Sequence, residues 1–273
     1  MPISDAELER YARHIILDEV GEAGQERLLA SKVLVVGAGG LGAPVLLYLA
    51  AAGVGTLGIV DDDEVELSNL QRQIVHASDR IGSAKVASAA RTLAALNPEV
   101  AVIAKKTRLA AENAMALIAG YDLVVDGSDN FATRYLLNDA CYFARIPLVA
   151  AAVLRFEGQL STYKAYLEGE HPCYRCLFPE APPADLIPRC EEAGILGAVA
   201  GVLGSLQAVE ALKELLGLGT GLSGELLSYD ALSATLRKFK VPRDPACALC
   251  GPQATLTSLA HHHKAAALST SSR

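Results

Sequence analysis

The chain has 273 residues, 51% hydrophobic and 20% charged with no Trp, a composition that supports one large core or two modest ones. A formal net charge of −7 disfavours a nucleic-acid partner, because phosphate binding needs clustered Lys and Arg that are missing here. No apolar run is long and charge-free enough to span a bilayer, so no membrane role is expected; MPISDAELERYARH lacks the basic start and apolar stretch of a signal peptide, and the expected compartment is cytoplasmic.

Ser4 to Ala30 reads as one or two helices, since Ser4 with Glu7 fits a capping box and Leu8, Tyr11, Ile15 and Ile16 recur at helical spacing. Lys32 to Val36 is a short apolar strand, followed by GAGGLG and a helix-like run ending at Gly53. Thr56 to Val60 is a second strand, closed by Asp61, Asp62, Asp63 and Glu64. Ile81 to Leu96 is expected to be helical and is stopped by Asn97-Pro98. Val100 to Ala104 and Asp122 to Val125 are further strands around a helix at Glu112 to Ala119. Phe131 to Ala144 is the next helix and Pro147 to Val153 the next strand.

Alternating short apolar strands and helices predict an α/β fold with a doubly wound, mainly parallel, Rossmann-like sheet, whose ligands bind at the carboxyl ends of the strands. Beyond this the pattern changes. Gln159 to Ala165 alternates like a half-exposed strand, Glu180 to Arg189 carries loop signals, and Gly194 to Leu216 reads as a long buried helix. Two strand-like runs, Glu225 to Tyr229 and Ala234 to Lys240, form an antiparallel extension. The expected division is a nucleotide-binding region over 1–158, a continuous region over 159–254 that holds both C-x-x-C pairs, and a flexible tail over 255–273 that includes a solvated His261 to His263 run.

Gly37-x-Gly39-x-x-Gly42 directly follows a strand and opens a helix, so backbone N–H groups can approach a phosphate at the positive helix end. Asp61 ends the next strand, where an acidic side chain can bond a ribose hydroxyl. On these residues alone a nicotinamide-binding domain and a nucleotide-triphosphate site stand equally. Ser68-Asn69-Leu70-Gln71-Arg72-Gln73 and then Lys85 place two cations and several amides just past that acid. Hydride transfer has little use for such a cluster, whereas attack on a triphosphate builds charge that fixed cations stabilise. Asp129 and Asn130 follow the Asp122 to Val125 strand; a carboxylate there suits Mg²⁺, and helix capping is compatible with that role.

Cys173/Cys176 and Cys247/Cys250 form two C-x-x-C pairs, which together supply the four soft ligands of a closed structural zinc site. Cys141 reads as a buried packing residue, His76 as a local hydrogen-bonding residue, and His171 as superfluous to the zinc. Cys190 sits beside Arg189 where a loop meets a helix, a position that lowers a thiol pKa, although Glu191 and Glu192 oppose it.

GAGGLG, Asp61 with its acidic followers, SNLQRQ, Lys85, DGSDN, CYRC, Cys190 before a glycine-containing helix, and CALC occur in the order of the MoeB/ThiF adenylyltransferases, which this chain resembles from about Leu8 to Gly251. These are bacterial relatives of the ubiquitin-activating enzymes. The resemblance implies ATP- and Mg²⁺-dependent adenylation of the C-terminal Gly-Gly carboxylate of a ubiquitin-like sulfur carrier, with pyrophosphate released. It implies that Gly40 and Asp61 hold the nucleotide, Ser68 to Arg72 and Lys85 the phosphates, and Asp129 the Mg²⁺. Arg13 resembles an arginine that reaches into a partner subunit's ATP site, which implies a homodimer. In some relatives the cysteine matching Cys190 forms a covalent link with the carrier. Molybdopterin-synthase activation is the favoured pathway, with thiamine, cysteine, tRNA or siderophore sulfur carriers as alternatives, and the sulfur is expected from a separate sulfurtransferase or cysteine desulfurase. Rival readings are a non-catalytic homologue that docks a carrier and an NAD-dependent oxidoreductase.

Overall fold

The computed structural model describes residues 3–181 and 194–263. Eight strands form one sheet: β1 (Lys32–Val36), β2 (Thr56–Asp61), β3 (Ala101–Lys106), β4 (Leu123–Asp126), β5 (Leu148–Leu154), β6 (Glu157–Tyr163), β7 (Glu225–Asp230) and β8 (Thr235–Lys240), in the spatial order 3-2-1-4-5-6-7-8. The first five run parallel and the last three pair antiparallel, as the change of pattern near residue 159 predicts. The order reverses between β1 and β4, which opens a crevice at their carboxyl ends.

The helices are α1 (Asp5–Ile15), α2 (Gly21–Ala30), α3 (Gly42–Ala51), α4 (Lys85–Leu96), α5 (Ala114–Ile118), α6 (Phe131–Ala144), α7 (Tyr174–Leu177) and α8 (Gly197–Leu216). The expected capping box is present: Glu7 N–H donates to Ser4 Oγ, and Ser4 N–H to Glu7 Oε2 at 2.8 Å. Strand alternation divides the core. Val33 and Val35 face a cluster with Leu46, Leu49, Leu93 and Leu203, whereas Leu34 and Val36 face Leu117, Ile118, Leu136 and Leu137. α3 and α8 therefore cover one face of the sheet and α5 and α6 the other.

One expected boundary moves. α4 begins at Lys85 rather than Ile81, because Gly82 N–H bonds Val65 C=O, Val65 N–H bonds Ser83 C=O, and Lys85 N–H bonds Asp63 C=O. Those backbone groups pair across the chain instead of closing a helical turn. Within the expected tail, Leu259 is buried and His261 and His262 contact Asp139, so the histidine run is not wholly solvated. Among the described residues no helix is long and apolar enough to cross a membrane.

Candidate active site

Gly37 leaves β1 with φ +93°, and a Cβ on Gly42 would lie 1.8 Å from the Gly37 carbonyl oxygen, so only glycine permits the loop to close onto the start of α3. The intervening Ala38 peptide is held at both ends. Its N–H donates to Asp61 Oδ2 at 2.7 Å, while its carbonyl accepts from His76 Nε2 at 2.9 Å. Since that carbonyl can only accept, Nε2 carries the ring proton, and His76 Nδ1 accepts from Ser88 Oγ at 2.9 Å. Burial, with Lys85 and Arg80 nearby, pushes the His76 pKa down to about 4, which keeps the ring neutral at pH 7.

Asp61 also accepts from Asp63 N–H at 2.9 Å. Burial raises its pKa, opposed by those two N–H groups and by Lys85. Lys85, at the first position of α4, is buried with its Nζ 2.7 Å from Asp63 Oδ2. Arg72 is braced by the short 3-10 turn Leu67–Asn69: Nη2 donates to Asn69 Oδ1 at 2.7 Å and Nη1 to Ser68 C=O at 3.3 Å.

Across the cavity, β4 ends in Asp126, whose Oδ1 accepts from Ser128 N–H and Oγ at 2.9 and 2.6 Å. Its Oδ2 faces Arg134 Nε at 3.5 Å, an ion pair without hydrogen-bond geometry, and both groups are buried. Burial pushes the Asp126 pKa up against the pull of Arg134. Arg134 Nη2 donates to Ser128 C=O and Ala151 C=O, and Gln207 of α8 donates to the carbonyls of Asp126 and Val149. Asn130 caps α6 by accepting Thr133 N–H at 2.9 Å, and Asp129 is exposed at the rim with no ion pair among the described residues.

These elements enclose a cavity of about 710 Å³. The structure brings Gly37, Gly39, Gly40 and Asp61 to its wall, with Arg72, Lys85, Asp129 and Asn130 from three further segments. Of the other expected residues, Gly42 lies beneath the loop, and Ser68 and Asn69 hold Arg72 without lining the cavity. Leu70 and Gln71 are also outside the wall; the Gln71 carbonyl lies where a Cβ on Gly197 would sit, 2.3 Å away. Arg13 is exposed on α1 and does not reach this cavity. Cys190 lies outside the described residues. Sequence reasoning missed Asp63 and the pairing of Arg134 with Asp126, whereas the hydrogen-bonding role expected of His76 is present, with Ala38 and Ser88 as its partners. The only signal for Asp63 was the acidic run that contains it.

The four paired cysteines converge. Sγ atoms of Cys173 and Cys247 are 3.5 Å apart, Cys176 and Cys250 3.4 Å, Cys173 and Cys176 3.9 Å, and all four lie within 4.8 Å of one another. A tetrahedron with Zn–S near 2.3 Å has S···S edges of about 3.8 Å, so the sulfurs fit the ion. His171 bonds Ser223 Oγ at 2.8 Å and stands outside the cluster. Cys141 is fully buried, and burial pushes its thiol pKa far up.

A parallel sheet carrying a glycine loop at its switch point, with cations on one side of the cleft and a free carboxylate on the other, defines a nucleotide-binding α/β protein. The chain belongs to the ThiF family, which it matches over residues 11–249. It is 52% identical over 251 residues to the SAMP-activating enzyme E1 of Haloferax volcanii, covering 92% of each protein. It is 52% identical over 255 residues to the sulfur carrier protein adenylyltransferase of Thermus thermophilus, covering 93% of this chain and 94% of that one. The adenylyltransferase and sulfurtransferase MOCS3 of Sus scrofa is 50% identical over 258 residues, which are 94% of this chain but 56% of the relative. Among solved structures, E. coli MccB with ATP superposes with a TM-score of 0.77 at 22% identity, over 88% of this chain and 74% of that one, a likeness of fold.

Proposed function

We propose that the chain is an adenylyltransferase that joins the C-terminal Gly-Gly carboxylate of a ubiquitin-like sulfur carrier to AMP and releases pyrophosphate. The observation that carries this reading is the meeting of the glycine loop, Asp61, Arg72, Lys85 and Asp129 around one cavity, together with relatives named for this activity.

The chemistry asks little beyond positioning and charge. A C-terminal carboxylate is ionised at neutral pH and attacks the α-phosphorus directly, so no general base is required. The loop amides cradle phosphate and Asp61 accepts from ribose. Arg72 and Lys85 stabilise the negative charge that builds on the departing pyrophosphate. Asp129 offers a hard oxygen ligand unpaired at the rim, which fits Mg²⁺; bound there, the ion would neutralise phosphate charge. The cysteine cluster would hold Zn²⁺ structurally, and its thiolates suit a cytoplasmic setting.

Arg13 is exposed and does not line its own chain's cavity, which leaves it available for the homodimer reading in which it enters the partner's site. Molybdopterin-synthase activation remains the favoured pathway, with a thiamine-pathway or other sulfur carrier as the alternative and a separate sulfurtransferase or desulfurase as donor. The test is ATP–pyrophosphate exchange against a panel of Gly-Gly-ending carriers. Exchange with at least one carrier is expected; none with any carrier, from folded and zinc-loaded protein, overturns the reading.

A further inference from the structure

Asp139 of α6 is fully buried, takes no part in the nucleotide cavity, and is approached by more nitrogens than a carboxylate can serve. Oδ1 accepts from Arg175 Nε at 2.8 Å and Asn138 Nδ2 at 2.9 Å. Oδ2 accepts from Arg175 Nη2 at 2.7 Å and lies 2.8 Å from Nε2 of both His261 and His262. Five nitrogens therefore meet about four lone-pair sites, three of them on one oxygen.

His261 sharpens the conflict. Its Nδ1 is 2.9 Å from the Ser258 carbonyl, which only accepts, so Nδ1 carries a proton and Nε2 is the ring atom left to face Asp139 Oδ2 at 2.8 Å. At that separation a cation must lie between Nε2 and the carboxylate oxygen, either a proton or a metal ion. An imidazole whose far N–H is fixed by a backbone carbonyl, beside a second imidazole and a carboxylate, is how metal-binding histidines are oriented. Oδ2 lies 2.8 Å from each ring nitrogen and all three atoms lie within 4.8 Å of one another, so bonds of about 2.0–2.2 Å to one shared cation need at most a small inward movement of the two rings.

We propose that Asp139, His261 and His262 form a second metal site, for a divalent transition cation of the zinc class, separate from the four-cysteine cluster. Two imidazoles and a carboxylate favour such borderline cations over Mg²⁺ or Ca²⁺. Arg175 Nη2, 3.3 Å from His261 Nε2, adds a positive charge at the edge, so this site binds more weakly than the cysteines. Its occupancy ties residues 258–263 to α6 and to Arg175, which stands between Cys173 and Cys176. Leu259, buried in the α5–α6 cluster, already holds that segment in place, while His263 pairs with Glu112 and is not a ligand.

The experiment is a calorimetric titration of full-length, untagged protein, already carrying zinc on its cysteines, with Zn²⁺ alone. One further equivalent is expected in wild type and in His263→Ala, with affinity weakened at least tenfold when His261→Ala and His262→Ala are combined. No further binding in wild type, or unchanged binding in the double variant, overturns the proposal and leaves protons as the bridge. A readout free of variants is Co²⁺ added to the same zinc-loaded wild-type protein: a new d–d band without thiolate charge transfer is expected, and its absence at saturation overturns the site.

Discussion

Lys85 and Asp63 form an ion pair, Nζ to Oδ2 at 2.7 Å, whose two ends sit in different surroundings: the lysine side chain is 6% exposed and the aspartate 65%. Asp63 is also tied through its N–H to Asp61 Oδ1, so the proposed ribose acceptor and the proposed phosphate cation are joined through one residue. Asp63→Ala removes the tether and leaves the charge. Pyrophosphate exchange is expected to fall about tenfold, against a loss on the order of 10²–10³ for Lys85→Ala, the range for deleting one preorganised transition-state donor. Wild-type exchange in Asp63→Ala would show that the tether is idle.

Asp126 and Asp129 lie three residues apart and are expected to fail in opposite ways. Asp129→Ala should abolish exchange while leaving the thermal midpoint and cysteine-bound zinc unchanged, since the side chain is exposed and makes no ion pair among the described residues. Asp126→Asn strips the buried Arg134 of its counterion, a change of about 3–5 kcal/mol. Denaturant unfolding of both variants beside the exchange assay separates the two roles; a stable, inactive Asp126→Asn would contradict this division.

His76 gives the fold an acid-sensitive point. The unfolded ring titrates at the ordinary 6.5 and the folded ring at about 4, because burial opposes its charge. Between those values the unfolded state binds more protons, so stability falls as pH falls. The contribution is fully present above 6.5 and is lost on the way down to about 4. His76→Gln should therefore be less acid-sensitive than wild type by about 1–2 kcal/mol at pH 5 relative to pH 7.5. Parallel loss in both proteins across that interval would count against a neutral His76.

If Arg13 serves the partner's cavity, Arg13→Ala and Arg72→Ala carry their defects in different halves of a shared site. Each variant alone should be inactive, and co-expression should restore exchange through mixed dimers with one intact site. Purification through two different tags isolates the mixed species. No recovery in it would place Arg13 outside the reaction.

The sheet and its glycine loop were legible because strand alternation and the Gly37–Gly42 spacing are local properties. Lys85, Asp61 and Arg72 were found as residues but not as an arrangement: Asp63 reads as one solvated acid in a run of four until its partner is seen 22 positions away. The start of α4 was misjudged for a related reason, since Val65 and Asp63 compete for backbone groups that helical spacing assigns to the helix. The histidines at 261 and 262 looked solvated because their neighbours are Ala and Ser. Their destination is an acceptor 122 and 123 residues earlier, which no window of sequence contains.

β3 and β8 are the margins of the eight-stranded sheet, and among the described residues no further strand pairs with the outer edge of either. Such edges are templates on which a second molecule can continue the sheet and begin aggregation. β3 ends in Lys105 and Lys106, and β8 carries Arg237, Lys238 and Lys240. Like charges would be stacked at strand spacing if two copies met margin to margin. Lys106 pairs with Glu64 and Lys238 with Glu225, so Lys105, Arg237 and Lys240 are the margin cations for which a second copy would have to supply counter-charge before the sheet could continue from molecule to molecule.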